Sequence, residues 1–197
     1  MKHLRAHLRQ ARTGAAARLA LALLAGAAAA GTARGESLGD DHAGSGGDAP
    51  AAARAETLAD PAEVLALLNA RRAAGALCGD AAMPPAPPLQ WHAAMERAAA
   101  DHLRDVALRP ALSHVGSDGS SVGGRVWRQG YAWGGVGENV AGGYRAAADT
   151  LRQWLRSPSH CRTLMGAGYR HVAVVGRDIP GSRLGPYWVM VVARPLQ

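Results

Sequence analysis

Val172-Ala173-Val174-Val175 and Tyr187-Trp188-Val189-Met190-Val191-Val192 are the two stretches that decide the fold. Both are dense in β-branched and aromatic residues, the types that suit a pleated, packed surface. Asp178–Gly185 between them is turn-forming, so the pair reads as the closing strands of a small antiparallel sheet. Upstream, the apolar spacing turns helical. Asp60-Pro61-Ala62-Glu63 is a helix start, with Asp as N-cap, Pro at the first helical position and Glu three residues on. Val64, Leu65, Leu67 and Leu68 supply its apolar face, and Gly75 is a stop. A rigid Pro-rich connector, Met83–Pro88, leads to a second helix on which Trp91, Met95, Ala98, His102 and Val106 form one stripe. His102 lies on that stripe and is assigned to the core rather than to a ligand; His92 is assigned to solvent. A third helix is predicted over 146–156, with Leu151, Trp154 and Leu155 inward, and Ser157-Pro158 restarts helix. The Gly-rich stretch 111–145 predicts irregular chain, broken by a short helix near Val122–Gln129. Helices flanking a small antiparallel sheet make an α+β layered domain.

The chain of 197 residues suits one domain with a tail. Its net charge of +7 suggests nucleic acid until the charges are placed. Residues 1–33 carry Lys2, Arg5, Arg9, Arg12 and Arg18 and no acid, which leaves 17 basic against 15 acidic side chains, scattered, in the rest. No basic patch or nucleic-acid motif appears, so a nucleic-acid partner is not expected. Residues 1–33 read instead as a secretory signal: a basic start, an apolar run Leu19–Ala30, and small residues Gly31-Thr32-Ala33 for cleavage. That run is too short to span a bilayer, and no later segment is long and apolar enough. Residues 34–56, almost devoid of large apolar side chains, read as a flexible linker. The folded domain is expected over 57–197, secreted or periplasmic and monomeric. Export also bears on Cys78 and Cys161, an even pair that reads as a disulfide closing a long loop, stabilising by roughly 2–4 kcal/mol. The competing readings are two buried thiols, or a Cys161 nucleophile beside His160. Neighbours on a helix point about 100° apart, which makes that dyad geometrically poor.

Three segments combine titratable groups with loop and cap residues: Leu112-Ser113-His114-Val115-Gly116-Ser117-Asp118-Gly119-Ser120-Ser121, Gly137-Glu138-Asn139-Val140-Ala141, and Ser157-Pro158-Ser159-His160-Cys161. Two imidazoles and a carboxylate suit a zinc ion that keeps one position for water. Each residue also has a structural role open to it. Glu138 can cap a helix, Asn139 can hold a turn, and His114 and His160 can satisfy buried main-chain groups.

Taken together, and with Asn69-Ala70-Arg71-Arg72, Leu89-Gln90-Trp91, Asp101-His102, Arg125, Gly130-Tyr131, Trp154 and Tyr187-Trp188-Val189, these segments resemble the CAP superfamily (cysteine-rich secretory proteins, antigen 5, pathogenesis-related 1) in its bacterial SCP-like form. The resemblance covers about residues 60–197. It implies an α-β-α sandwich with an open groove lined by two His and two Glu that can hold a divalent cation. His114, Glu138 and His160 match three of those four places, with Ser113 and Asn139 lining beside them. The second Glu falls in Leu155-Arg156-Ser157-Pro158-Ser159, which holds no acid; Asp149 precedes Trp154 and is not its substitute. Cys78 and Cys161 match the family's bacterial disulfide, tying the first helix to the His160 segment.

The missing acid has a chemical consequence. Glu138 is the one candidate general base, and a carboxylate cannot comfortably ligate a cation and take a proton from its bound water. The chain also lacks His-Glu-x-x-His, Gly-x-Ser-x-Gly and a plausible Ser/His/Asp set. The expectation is therefore a binding module whose groove takes a metal such as zinc, a small molecule, a lipid or an envelope polymer. A metal-assisted hydrolase and an interaction domain with a vestigial groove are the alternatives.

Overall fold

Asp60 opens the first helix as the sequence predicts. In the computed structural model, which describes residues 56–197, its carboxylate accepts the Glu63 amide at 2.9 Å and Pro61 takes the first turn. Helix α1 (Pro61–Ala74) stops at Gly75, whose φ is +73° and where a Cβ would meet Met83 O at 2.9 Å. Both the backbone conformation and the space require glycine there. The predicted signal and nearly all of the predicted linker lie outside the described residues. Pairing begins inside that linker's last position: β1 (Glu56–Thr57) sets Glu56 opposite Asp178, and Arg145 bridges the two carboxylates.

After α1 come a small ladder of β2 (Ala76–Cys78) and β3 (Ala81–Met83), then β4 (Gln90–Trp91), α2 (Ala93–Ala107) and α3 (Val122–Arg128). Next are β5 (Trp133–Gly142), α4 (Ala147–Arg156), α5 (Pro158–Met165), β6 (His171–Asp178) and β7 (Pro186–Pro195). The main sheet runs β1-β6-β7-β5 and is antiparallel along that path, with β4 added parallel on β6. The hairpin of β6 and β7 is the pair the sequence marks. His92 is less solvated than expected: it is half-buried and caps α2, Nδ1 accepting the Ala94 amide at 3.1 Å.

β5 corrects the expectation of irregular chain over 111–145. Four of its ten residues are glycine, which lowers strand propensity, but all of it lies along β7. Its glycines answer to close packing. A Cβ on Gly137 would come 2.8 Å from Tyr169 Oη and 2.9 Å from Thr163 Cγ2.

Strand β7 shows why the domain has three layers. Trp188, Met190 and Val192 pack with Val64 and Leu68 of α1, Trp154 of α4 and Leu164 of α5. Tyr187, Val189, Val191 and Ala193, alternating with them, pack with Met95, Leu103 and Val106 of α2 and Val126 of α3. A strand buried on both faces needs the continuous apolar run that the sequence displays. Two attachments fasten α5. Cys78 on β2, just past α1 rather than on it, is disulfide-bonded to Cys161 with Cα atoms 5.4 Å apart. Arg72, wholly buried on α1, donates to Pro87 O at 2.9 Å, Leu164 O at 2.6 Å and Gly166 O at 3.2 Å.

Gly176 on β6 lies under its cross-strand partner Trp188, and a Cβ there would sit 2.5 Å from the indole ring. Trp188 is fully buried and its Nε1 donates to Tyr144 O, so the ring has nowhere to go. Gly176→Ala should cost about 1–3 kcal/mol in urea unfolding. Gly124→Ala, on α3, where a Cβ would make only an ordinary contact with Ser121 Oγ at 3.6 Å, should be neutral or stabilising by up to about 1 kcal/mol. Equal midpoints for the two variants would refute the packing argument.

Candidate functional site

Pleating on β5 distributes the candidate site residues. Glu138 shares a face with Val140, towards α2 and α3; Asn139 shares the other with Ala141, towards α5. Among the described strands β5 pairs only with β7, so it ends the sheet, and residues from both layers meet around its outer edge. His114 comes from the segment after α2 and His160 from the first turn of α5, their ring centroids 6.4 Å apart and tilted by 58°.

Glu138 is the hub. Its side chain is buried, with Oε1 accepting from His114 Nδ1 at 2.9 Å and Oε2 from the Arg125 guanidinium at 2.6 Å. Arg125, on α3, is buried as well and also donates to Ser120 O at 2.9 Å and His114 O at 3.2 Å, so one side chain holds the loop and the carboxylate together. His102, on α2, stands 3.6 Å from Glu138 Oε1 and donates from Nε2 to Ser113 O at 2.8 Å. A carbonyl can only accept, so that bond fixes the tautomer of the neutral ring and leaves Nδ1 as a lone pair.

The structure thus brings His114 and Glu138 into contact and sets His160 facing them. Ser113 is occupied locally, its hydroxyl donating to Val115 O at 3.0 Å and accepting the Val115 amide at 3.1 Å. Asn139 is fully buried and donates to His160 O at 3.0 Å, which positions α5. Asp149 pairs with Arg152 on its own helix. His102 is in the core, as its stripe predicts, yet it also reaches the site. It is the one ionisable member of an otherwise apolar stripe, and that anomaly is the signal for it. Nothing local in the sequence marks Arg125 as the partner of Glu138.

The two groove imidazoles are pushed in opposite directions. The hydrogen bond to Glu138 raises the His114 pKa, against the effect of partial burial. Burial, followed by the nearby His114 charge, lowers that of His160. An NMR pH titration should find His114 protonating above, and His160 below, the ordinary imidazole value of about 6.5. In Glu138→Gln the His114 midpoint should fall, and an unchanged midpoint would remove Glu138 as the cause. The raised His114 pKa stabilises the fold below its unfolded value, and that contribution is lost as pH rises through the folded one.

The donor set also says how a cation would fit. Both oxygens of Glu138 are engaged, one of them by a guanidinium that opposes a second positive charge. Among the described residues no three His, Cys, Asp or Glu side chains gather so as to hold a metal ion. What the groove offers is two imidazoles, with Glu138 as the carboxylate that orients His114 from behind, an arrangement metal-bound histidines commonly have.

The model of the Cysteine-rich secretory protein family (CAP) matches residues 65–190, which takes in most of α1, the residues His114, Glu138 and His160, all of β6 and the first half of β7. The chain belongs to the CAP family. Two solved structures share the CAP fold seen here. One is an extracellular protein containing an SCP domain from Bacillus anthracis, with TM-score 0.53 and 20% identity over 68% of this chain and 40% of that one. The other is an outer surface protein from Borrelia burgdorferi, with TM-score 0.56 and 15% identity over 73% of this chain and all of that one. This chain therefore spans well under half the length of the Bacillus anthracis protein. A comparison with the curated proteins finds no match.

Proposed function

We propose that this CAP domain is an exported ligand-binding module whose groove, at His114 and His160, takes a divalent cation such as zinc, through which a small-molecule, lipid or envelope ligand is held. The observation that carries this reading is the state of Glu138. A carboxylate bonded to both His114 and Arg125 is a positioning group, and among the described residues no second carboxylate pairs with His114 or His160 to serve as general base. His114 and His160 would hold the cation with nitrogen, and the bound cation would supply a Lewis acid for a ligand oxygen. Export is supported by the predicted signal, by the disulfide, and by the printed descriptions of the two structural relatives as extracellular and outer surface proteins. Among the described residues no helix is long and apolar enough to cross a membrane.

Zinc titration by calorimetry on the parent, His114→Ala and His160→Ala tests the reading. Binding is expected in the parent and should vanish in both variants. It should weaken as pH falls through the raised His114 range, because a cation needs the neutral ring. Binding that survives both substitutions would move the cation elsewhere, and no binding in the parent would favour an interaction domain. Turnover of a peptide or glycan panel that Glu138→Ala removes would make the domain a hydrolase.

A further inference from the structure

Most helices open on Ser, Thr, Asp or Asn, whose capping power does not change near neutral pH. Helix α2 opens on a histidine instead. His92 holds the N-cap position in extended backbone, and its Nδ1 accepts the Ala94 amide at 3.1 Å. That atom offers a lone pair only while the ring is neutral. The same stretch fixes the strand before the helix: His92 N donates to Val172 O at 3.0 Å, and Gln90 N to Arg170 O at 2.9 Å. One titratable side chain therefore stands where β4 joins the sheet and α2 begins.

A second imidazole faces it. His171, the first residue of β6 and the strand partner of Gln90, has its ring centroid 4.9 Å from that of His92, the planes tilted by 46°. Tyr131 closes the cluster, its ring centroid 4.9 Å from His92 and edge-on, its hydroxyl 2.7 Å from His171 Nδ1. Burial raises the Tyr131 pKa, so the phenol stays neutral. Elsewhere in the domain the imidazoles of His102 and His114 have carboxylates beside them, Asp105 and Glu138. The charged groups around the His92–His171 pair are turned to other partners. Glu96 accepts from Trp91 Nε1 at 2.9 Å, Arg97 donates to Gln129, Arg170 donates to Ala167 O and Tyr169 O, and Arg194 lies along Gly135 of β5.

From this we infer that the His92–His171 pair is an acid-released latch on the junction of β4 and α2. With both rings neutral, the cap and the main-chain bonds beside it hold. A proton on His92 turns Nδ1 from acceptor to donor, so that two N–H groups oppose each other. It also sets a positive charge at the helix N-terminus, the end whose dipole repels it. A further proton on His171 leaves the bond to Tyr131 intact, since the phenol oxygen can accept, but adds a like charge beside the first. Burial, followed by the His92 charge, lowers the His171 pKa. Its contribution to the fold is therefore full above the unfolded imidazole value and is lost as pH falls towards the folded one. Acid loosens the junction. The latch uses neither His114, His160 nor a cation, so it stands apart from the groove.

Amide hydrogen exchange on the full chain at about pH 7.5 and about pH 5, corrected for the intrinsic rate at each pH, tests the latch. Protection of the Ala94 amide should fall about fivefold or more on acidification, and that of the Gln90 and His92 amides should fall with it. His92→Asn places a cap that does not titrate at the same position, and in this variant the Ala94 amide should keep its protection at both pH values. The same variant removes the charge that faces His171, so the His171 midpoint in an NMR titration should rise. The inference is overturned if Ala94 protection in the parent is equal at the two pH values, or if His92→Asn loses it with acid as the parent does. It is also overturned if the His171 midpoint stays in place when His92 is replaced.

Discussion

Removing the Cys78–Cys161 bridge is expected to lower stability by about 4 kcal/mol, the upper end of the range expected from the sequence, since the link closes a loop across a sequence separation of 83 residues. For a single domain whose total stability is typically about 5–15 kcal/mol, that is a large fraction. The chain-entropy argument makes the loss grow with loop length, because the unfolded chain regains that much freedom. Both sulfurs are wholly buried in the cluster that also holds Trp188 and Leu164, so Cys78→Ala/Cys161→Ala gives a cleaner comparison than two buried thiols. Its Tm should fall by roughly 10–20 °C against the oxidised parent. Alkylation of the parent without reductant should label neither cysteine. Labelling of both, or a Tm within a few degrees of the parent, would refute the bridge as the main staple of this domain.

The second large effect is expected at Arg125. Arg125→Met strips a buried carboxylate of its guanidinium partner and also releases Ser120 O and His114 O. Breaking one side of a buried ion pair typically costs about 3–5 kcal/mol, because the remaining charge is left in a poorly solvated place. Replacing both partners with apolar side chains of similar size should recover most of that loss, so Arg125→Met/Glu138→Leu should be more stable than Arg125→Met alone. The comparison is made by urea unfolding. A double variant no more stable than the single would mean that the bonds from Arg125 to the loop carbonyls, not the ion pair, carry the energy.

Where sequence reasoning succeeded, the information was local. The Asp60 cap, the α2 stripe and the alternation through Tyr187–Val192 are each written in neighbouring residues, and the CAP motifs carry the order of the groove segments. Where it failed, the cause lay far along the chain. Trp133–Gly142 has the composition of a loop and becomes a strand only because β7 lies beside it and because α5 packs too close for side chains at Gly137. Arg72 and Arg125 have the composition of surface residues; their partners are carbonyls and a carboxylate that only the folded chain brings near. His102 shows a subtler limit. Periodicity correctly places it inside, but a period says nothing about which polar atoms a buried ring will meet, and here they are Ser113 O and the Glu138 carboxylate of the candidate site.

The two fastenings of α5 set a difference in compliance between the walls of the groove. The His160 side is clamped covalently to β2 and from beneath by a buried arginine, so it is preset before any ligand arrives. The His114 side is a short irregular run flanked by exposed Leu112 and Val115 and held by non-covalent bonds alone, from Glu138, Arg125, His102 and Arg109. A ligand held as proposed would meet a fixed jaw and a yielding one, and selectivity between ligands of different girth would fall to the yielding jaw.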